Sequence, residues 1–159
     1  MAGSSVRWVY MLSGKLIYLI ESHADQIGSQ IIRKIRRDPK LTHLAGLPEV
    51  ELRERGREIL TNLGQWLESA NKEKIEREYE SIGRERYEES VPLHEAIRGL
   101  CLIKDTMFDF IHEEATEFNC MELYVEEELE RRVGRFFDLL VIHLAYGYEI
   151  EWRHAMQLG

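Results

Sequence analysis

A chain of 159 residues is long enough for one domain with a single hydrophobic core, because a chain of this size buries roughly two-thirds of its unfolded surface. With 44% apolar and 31% charged residues, but only 3 prolines and 11 glycines, its composition excludes long disordered linkers. The formal net charge of −8 disfavours nucleic acid and anionic membrane surfaces as partners, since both require a concentrated positive surface.

The N-terminal residues predict neither a signal peptide nor a membrane span. The first residues are partly apolar, but Arg7 and Lys15 interrupt them before a membrane-spanning run develops. Two cysteines, Cys101 and Cys120, do not make a disulfide framework in a chain of this length, which favours a reducing cytoplasm. We therefore expect a loose leader at residues 1–12, one helical domain at 13–155, a short tail at 156–159, and a cytoplasmic location.

The first predicted helix runs from Gly14 to Arg37. Its apolar residues recur every three or four positions and so share one stripe: Ile17, Ile20, Ala24, Ile27, Ile31 and Ile35. Asp38-Pro39 should end this helix, because the residue before a proline is pushed out of the helical region.

Two further helices follow a connector at residues 38–47. Pro48 predicts the first turn of the second helix, which extends to about Ala70, with Gly56 placed to allow a close helix crossing. The third helix, from about Lys72 to Glu89, has only four apolar anchors, so we expect it to face mostly solvent: Ile75, Tyr79, Ile82 and Tyr87.

Ser90 and Pro92 predict the start of a fourth helix, with Ser90 as its N-cap. Asn119 opens the last helix, whose segment 136–148 is apolar on nearly all sides. This pattern is typical of a buried central helix or of one packed against a second subunit. The sequence weighs the two equally for five residues at a possible dimer interface: Phe136, Phe137, Leu140, Leu144 and Tyr148. We expect an all-α, single-domain bundle of five helices, for which a globin-like arrangement is one possible form.

Few residues are candidates for a catalytic, metal or ligand-binding site. The pair Glu151 and His154 is the one Glu-x-x-His motif in the sequence, whereas a two-metal bundle site needs two. His112 and His143 are candidates for haem or ligand binding, although a core or interface role is favoured for His143. Lys104 interrupts the apolar stripe of the fourth helix, where it either reaches solvent or faces a ligand cavity. Because no nucleophile–base pair or phosphate-binding loop appears, we expect no catalytic residues, no metal and no resident cofactor.

Three stretches resemble one family. Residues 31–55 combine a basic helix end, an Asp-Pro stop and a Leu-Pro start, and residues 82–104 contain Val91-Pro92-Leu93-His94-Glu95. Together with the aromatic and aliphatic last helix, they resemble the N-terminal helical domain of RsbT co-antagonist (RsbRD-type) stressosome regulators, also found before some bacterial histidine kinases. The likeness covers about residues 14–148.

The resemblance implies a bacterial sensory or regulatory module, related to globin-like sensor domains that lack haem. Such a module acts through contacts with a protein partner and commonly forms a homodimer. We expect a non-catalytic signalling domain that works by helix repacking. The alternatives are a sensor bundle that binds haem or another small ligand, or a metal-dependent helical enzyme.

Overall fold

The computed structural model describes residue 14 and residues 17–69, 71–115 and 122–158, and within these ranges it contains helices and no strand. In chain order the helices are α1 (Ala24–Arg37), α2 (Thr42–Ala45), α3 (Glu49–Ser69), α4 (Lys72–Glu88), α5 (Leu93–Ala115) and α6 (Glu122–Leu158). Residues 17–22 are also helical and precede α1. The all-α prediction is confirmed. The predicted leader at residues 1–12 and the predicted helix start at Asn119 lie outside the described residues.

The helix count differs from the predicted five for two local reasons. The first predicted helix is interrupted at His23, whose φ of −116° and ψ of 15° are not helical and whose Nδ1 lies 2.9 Å from the carbonyl oxygen of Leu19. The connector at residues 38–47 also contains the short helix α2. The predicted stop at Asp38 is confirmed, since Asp38 has extended backbone with ψ of 113°.

The turn between α4 and α5 corrects the predicted N-cap role of Ser90. Ser90 has a positive φ of 61°. Its N–H donates to the carbonyl of Tyr87, and the N–H of Val91 donates to the carbonyl of Arg86. These two bonds form a Schellman motif that ends α4, with a serine at the left-handed position usually taken by glycine.

The hydrophobic core runs through all five long helices. The stripe predicted for the first helix is largely buried, because Ile20, Ile27, Ile31 and Ile35 each expose 4% or less. The most extensive contact between two helices joins α4 to α6, and α6 also packs against α5 and α3. Helix α4 is therefore a central packing partner and not the mostly solvent-facing helix that the sequence predicted.

Helix α6 is the longest element, with 37 residues, and spans about 55 Å at 1.5 Å per residue. Every residue from Trp152 to Leu158 is exposed, so its last turns lie outside the core and include most of the predicted tail. Within the ranges that the structure describes, no helix combines the length and the apolar character that crossing a membrane would require.

Candidate functional site

Two glycines bring the backbones of α4 and α6 into direct contact. A Cβ atom added to Gly83 would overlap the carbonyl oxygen of Leu144 and lie 3.2 Å from the Cα of Gly147. A Cβ added to Gly147 would overlap the carbonyl oxygen of Glu80 and lie 3.0 Å from the Cα of Gly83. Because any side chain would push the helices apart, this pair of glycines sets their separation. The close crossing expected at Gly56 is not observed, since an added Cβ there has no neighbour within 4 Å.

Polar contacts lie on either side of this crossing. The Nδ1 atom of His143 on α6 lies 2.9 Å from Glu80 of α4, and its Nε2 atom lies 3.6 Å from Glu76, one turn earlier. On the other side, Arg84 donates to Glu151 over 2.7 Å. These pairs hold α6 along α4 at two places about two turns apart, with the glycine contact between them.

The turn at Val91 contacts α6 through Tyr148. The hydroxyl of Tyr148 donates to the carbonyl of Val91 over 2.7 Å, and burial raises the pKa of Tyr148 to about 12. The ring of Tyr148 also packs edge-on against Tyr87, with 6.0 Å between ring centroids. The last helix is thereby tied to the segment that links α4 to α5.

The carboxylate of Glu95 anchors the connector from the other side of the same turn. Glu95 exposes only 2% of its surface, and its Oε1 accepts hydrogen bonds from the backbone N–H groups of His43 at 2.9 Å and Leu44 at 3.3 Å. These N–H groups belong to the first turn of α2, where helix formation leaves them without carbonyl partners. A buried carboxylate thus satisfies the start of a helix far away in sequence.

An ion pair joins the same two segments. Arg98 of α5 donates to Asp38 over 2.7 Å. The backbone N–H of Lys40 and the guanidinium of Arg98 lower the pKa of Asp38. The Asp-Pro stop and the Val-Pro-Leu-His-Glu turn, which carried the family resemblance in the sequence, are therefore neighbours in space.

A cavity of about 60 Å³ lies in the core between α1, α3, α4 and α5, with Leu144 of α6 at one side. Its walls are mainly aliphatic, including Ile31, Leu52, Ile59 and Ile103. Three residues with polar groups also line it: Tyr79, Arg55 and Arg86. Tyr79 exposes 1% of its surface, and its hydroxyl has no hydrogen-bond partner among the described residues. Burial raises the pKa of this hydroxyl, and the neighbouring Asn62 side chain acts in the opposite direction.

The two arginines beside the cavity are matched by carboxylates. Arg86 donates to Glu51 over 2.8 Å and to Glu89 over 3.3 Å, while Arg55 pairs with Glu58 over 2.8 Å and with Glu85. Oxygens of Glu51, Glu85 and Glu89 lie within 4.8 Å of one another, and loss of hydration together with the neighbouring Glu51 raises the pKa of Glu89. The guanidinium groups of Arg55 and Arg86 contact all three of these carboxylates.

The five residues predicted at a dimer interface are all buried within a single copy of the chain. Their exposed fractions are 0% for Phe136, 2% for Phe137, 0% for Leu140, 3% for Leu144 and 7% for Tyr148. They pack in the chain's own core, which was the other role that the sequence left open. A homodimer stays a prediction and would use other side chains in this conformation.

The opposite side of α6 carries large apolar residues in solvent. Ile142 is 61% exposed, Tyr146 45%, Trp152 56% and Met156 65%. With about 100° between successive residues, these four share one side of the helix, opposite the buried residues Leu140 and Leu144. We call these four residues the outward face of α6.

The remaining predicted site residues do not come together. His112 lies 2.8 Å from Glu130, and neither His112 nor His143 lines the cavity. Lys104 is half-buried and does not line the cavity either. In the Glu151 and His154 motif, Glu151 pairs with Arg84 and His154 is exposed.

Three features of the candidate site leave little sign in the sequence. Gly83 and Gly147 stood out only as glycines within helices, which ordinarily mark a weak point in a helix. Helical spacing identifies Tyr79 only as an apolar anchor of the third predicted helix. In the sequence Glu95 is one acidic residue near the start of a helix, although its partners belong to another helix. In each case the role depends on a contact between distant segments.

One of three comparisons with known proteins finds a match. Residues 25–157 match the family described as the RsbT co-antagonist protein rsbRD N-terminal domain, which spans most of the chain. No curated protein and no solved structure matches the chain significantly. The matched range includes the connector, the Val91 turn and the paired helices α4 and α6. The chain therefore belongs to the rsbRD N-terminal domain family, a family of regulatory signalling domains.

Proposed function

We propose that this chain is a non-catalytic signalling domain that acts through protein contacts made by the outward face of α6. The observation that carries the proposal is the division of one helix into two apolar sides, one buried in the core and the other exposed. Contiguous apolar residues in solvent commonly mark a site of protein association.

The first partner that we propose is a second copy of this chain. Along the exposed side of α6, Ile142, Ala145, Glu149, Trp152 and Met156 follow one another at spacings of three, four, three and four residues. This is the spacing of the contact positions in two-stranded coiled coils. A single charged residue, Glu149, lies among these contact positions, and a charge at such a position lowers the stability of the pair.

The proposed signal is a shift of α6 against the rest of the bundle. Helix α6 contacts α3, α4 and α5, so its position responds to the packing of most of the core. Its exposed end would carry that change to the partner. Two helix packings whose free energies differ by a few kcal/mol are sufficient for such a switch. We propose a bacterial cytoplasm as the setting and a stressosome-like regulatory assembly as the source of further partners.

Sedimentation equilibrium tests the self-association directly. We expect the natural chain to show a concentration-dependent mass that approaches twice 18.8 kDa. Trp152→Glu should shift the equilibrium towards monomer, because it places a charge in the seam. Val50→Glu is the matched control, since Val50 is 68% exposed on α3. A natural chain that stays monomeric would overturn the homodimer, and equal effects of the two variants would overturn the α6 interface.

The cavity beside Tyr79 favours one of the alternative functions, the binding of a small ligand as the input signal. Haem binding is less well supported by the geometry. Both nitrogens of His143 face carboxylates of α4, and a cavity of about 60 Å³ does not hold a macrocycle. An absorption spectrum of the purified protein tests for haem, and a Soret band in stoichiometric amount would favour the haem alternative.

A further inference from the structure

His143 of α6 faces carboxylates with both of its ring nitrogens. Its Nδ1 atom lies 2.9 Å from Glu80 and its Nε2 atom lies 3.6 Å from Glu76, and these two glutamates are about one helical turn apart on α4. A neutral imidazole carries one N–H and can donate to only one of them. Because the imidazolium carries two N–H groups, only the protonated ring can act as a donor towards both carboxylates.

The backbone places this contact where α4 and α6 approach most closely. A Cβ added at Gly147 would overlap the backbone carbonyl oxygen of Glu80, so the two main chains meet at the residue whose carboxylate faces His143. Gly147 follows His143 by four residues and therefore lies on the same side of α6. The side chain of His143 is 19% exposed and the two glutamates are 28% and 29% exposed, so salt screens these charges less than it screens fully exposed ones.

Few other charged groups lie near the ring. On α6, the four residues on either side of His143 include no Asp, Glu, Lys or Arg, and Tyr146 is the one titratable side chain among them. On α4, Lys72 lies 3.7 Å from the same Glu76 oxygen that faces Nε2, and Arg84 pairs with a carboxylate on the other side of the glycine contact. Within the described part of the chain, the charged groups in contact with His143 therefore come from α4.

We propose that His143, Glu76 and Glu80 form a proton-dependent clamp between α4 and α6. In the neutral ring the shorter contact favours a proton on Nδ1, so the ring donates to Glu80 and presents an unprotonated Nε2 to the carboxylate of Glu76. Proton uptake at Nε2 replaces this unfavourable approach with an attraction between opposite charges. The clamp is therefore strongest in weak acid and weakens as His143 loses its proton with rising pH, in the range where histidine ordinarily titrates.

The clamp names the proton as a signal to which α6 responds. Ile142 of the outward face precedes His143 in the chain and is 61% exposed, so a change in the hold of α4 on α6 acts beside the proposed interface. This regulatory role rests on the proposed function. The clamp itself does not, because α4 and α6 contact each other within one copy of the chain.

A double-mutant cycle at two pH values tests the clamp. Urea denaturation at one protein concentration, at about pH 5.5 and about pH 8, compares the natural chain with His143→Gln, Glu76→Gln and the double variant. At the lower pH, Glu76→Gln should raise the equilibrium constant for unfolding about two- to fivefold more in the natural chain than in the His143→Gln background. At the higher pH this coupling should vanish or change sign, because the neutral ring presents no N–H to Glu76. The contact of Lys72 with Glu76 is common to both backgrounds and cancels.

Glu73→Gln is the matched control, since Glu73 is an exposed glutamate of the same helix, and it should show no coupling to His143 at either pH. If His143→Gln does not fold, the natural background still decides, because Glu76→Gln should destabilise the chain more in acid than Glu73→Gln does.

Equal coupling at the two pH values, no coupling at either, or the same coupling for Glu73→Gln would overturn the clamp. The homodimer is tested separately by sedimentation of the natural chain. A dimer without pH-dependent coupling refutes the clamp alone, and a monomer that shows the coupling refutes the dimer alone.

Discussion

The buried carboxylate of Glu95 holds His43 from across the fold, with one oxygen 2.9 Å from the backbone N of His43 and the other 2.6 Å from its Nδ1 atom. The two residues are separated by 52 positions in the chain. Glu95 lies at the start of α5 and His43 at the start of α2. This contact fixes the connector between α1 and α3 against the centre of the bundle.

Replacing Glu95 with alanine should therefore destabilise the whole domain. The change removes the acceptor of two backbone N–H groups, and the expected loss is about 2–4 kcal/mol in the free energy of unfolding. Urea denaturation followed by circular dichroism measures this loss. Glu88→Ala is the matched control on an exposed site and should change stability by less than about 0.5 kcal/mol. Equal effects of the two variants would contradict the anchoring role of Glu95.

The glycine contact predicts a large effect of a single methyl group. Gly83→Ala should lower the free energy of unfolding by about 3 kcal/mol. The new Cβ would overlap the backbone of α6 at Leu144, and backbone atoms cannot move away as a flexible side chain can. Gly28→Ala makes the same change in α1, where an added Cβ has no neighbour within 4 Å. The free energy of unfolding of that variant should rise by about 0.5–1 kcal/mol, since alanine favours a helix more than glycine does. Thermal and urea denaturation of both variants would check that their free energies of unfolding change in opposite directions.

Ser90 offers a stabilising substitution. Its φ of 61° lies in the left-handed region, which costs a residue with a side chain about 1 kcal/mol relative to glycine. Ser90→Gly should therefore raise the free energy of unfolding by about 0.5–1 kcal/mol. Ser81→Gly, at an exposed position inside α4, should lower it by a similar amount. A loss of stability in Ser90→Gly would show that the serine side chain contributes more than its backbone conformation costs.

Tyr148 makes stability depend on alkaline pH. Its pKa is raised from 10.0 to about 12 in the folded chain, mainly by burial, so the folded state keeps its proton while the unfolded state loses it. The stabilising effect is complete below pH 10 and is lost as the pH rises towards about 12. The raised pKa of Tyr79 acts in the same direction.

The variant Tyr148→Phe separates this contribution. At neutral pH it should cost about 1–2 kcal/mol, because the buried carbonyl of Val91 loses its donor. Its stability should then fall less between pH 9 and pH 11.5 than that of the natural chain. Tyr18→Phe, at a side chain that is 69% exposed, should follow the natural profile. Denaturation midpoints measured across this pH range would reveal whether the two profiles differ.

Much of the local structure could be predicted from the sequence. Helical spacing of apolar residues identified the stripe from Ile20 to Ile35, and the Asp-Pro pair ended α1 as expected. These features depend on residues that are close along the chain, where backbone geometry and periodicity decide the outcome. The same holds for the start of α3 after Pro48.

The arrangement of the helices could not be predicted in the same way. Few apolar anchors in α4 suggested a solvent-facing helix, yet the missing side chain of Gly83 lets α4 approach α6 more closely than apolar residues would. Ser90 fits either an N-cap or a left-handed turn, and only the bonds to Arg86 and Tyr87 distinguish them. A segment that is apolar on all sides also does not reveal which side meets its own core, and here Leu140 and Ile142 point in different directions.

In the proposed function, α6 buries one side in the domain and presents the other to a partner. The substitutions Leu140→Glu and Ile142→Glu, which lie two residues apart on opposite sides of the helix, test this arrangement. Leu140 is fully buried and Ile142 is 61% exposed. The most direct measurement is the molar mass of Ile142→Glu by light scattering, with circular dichroism to establish folding and Leu140→Glu as the comparison. We predict that Ile142→Glu is a folded monomer of 18.8 kDa under conditions where the natural chain is a dimer, while Leu140→Glu does not fold. A folded Ile142→Glu protein that keeps the dimer mass would contradict this account.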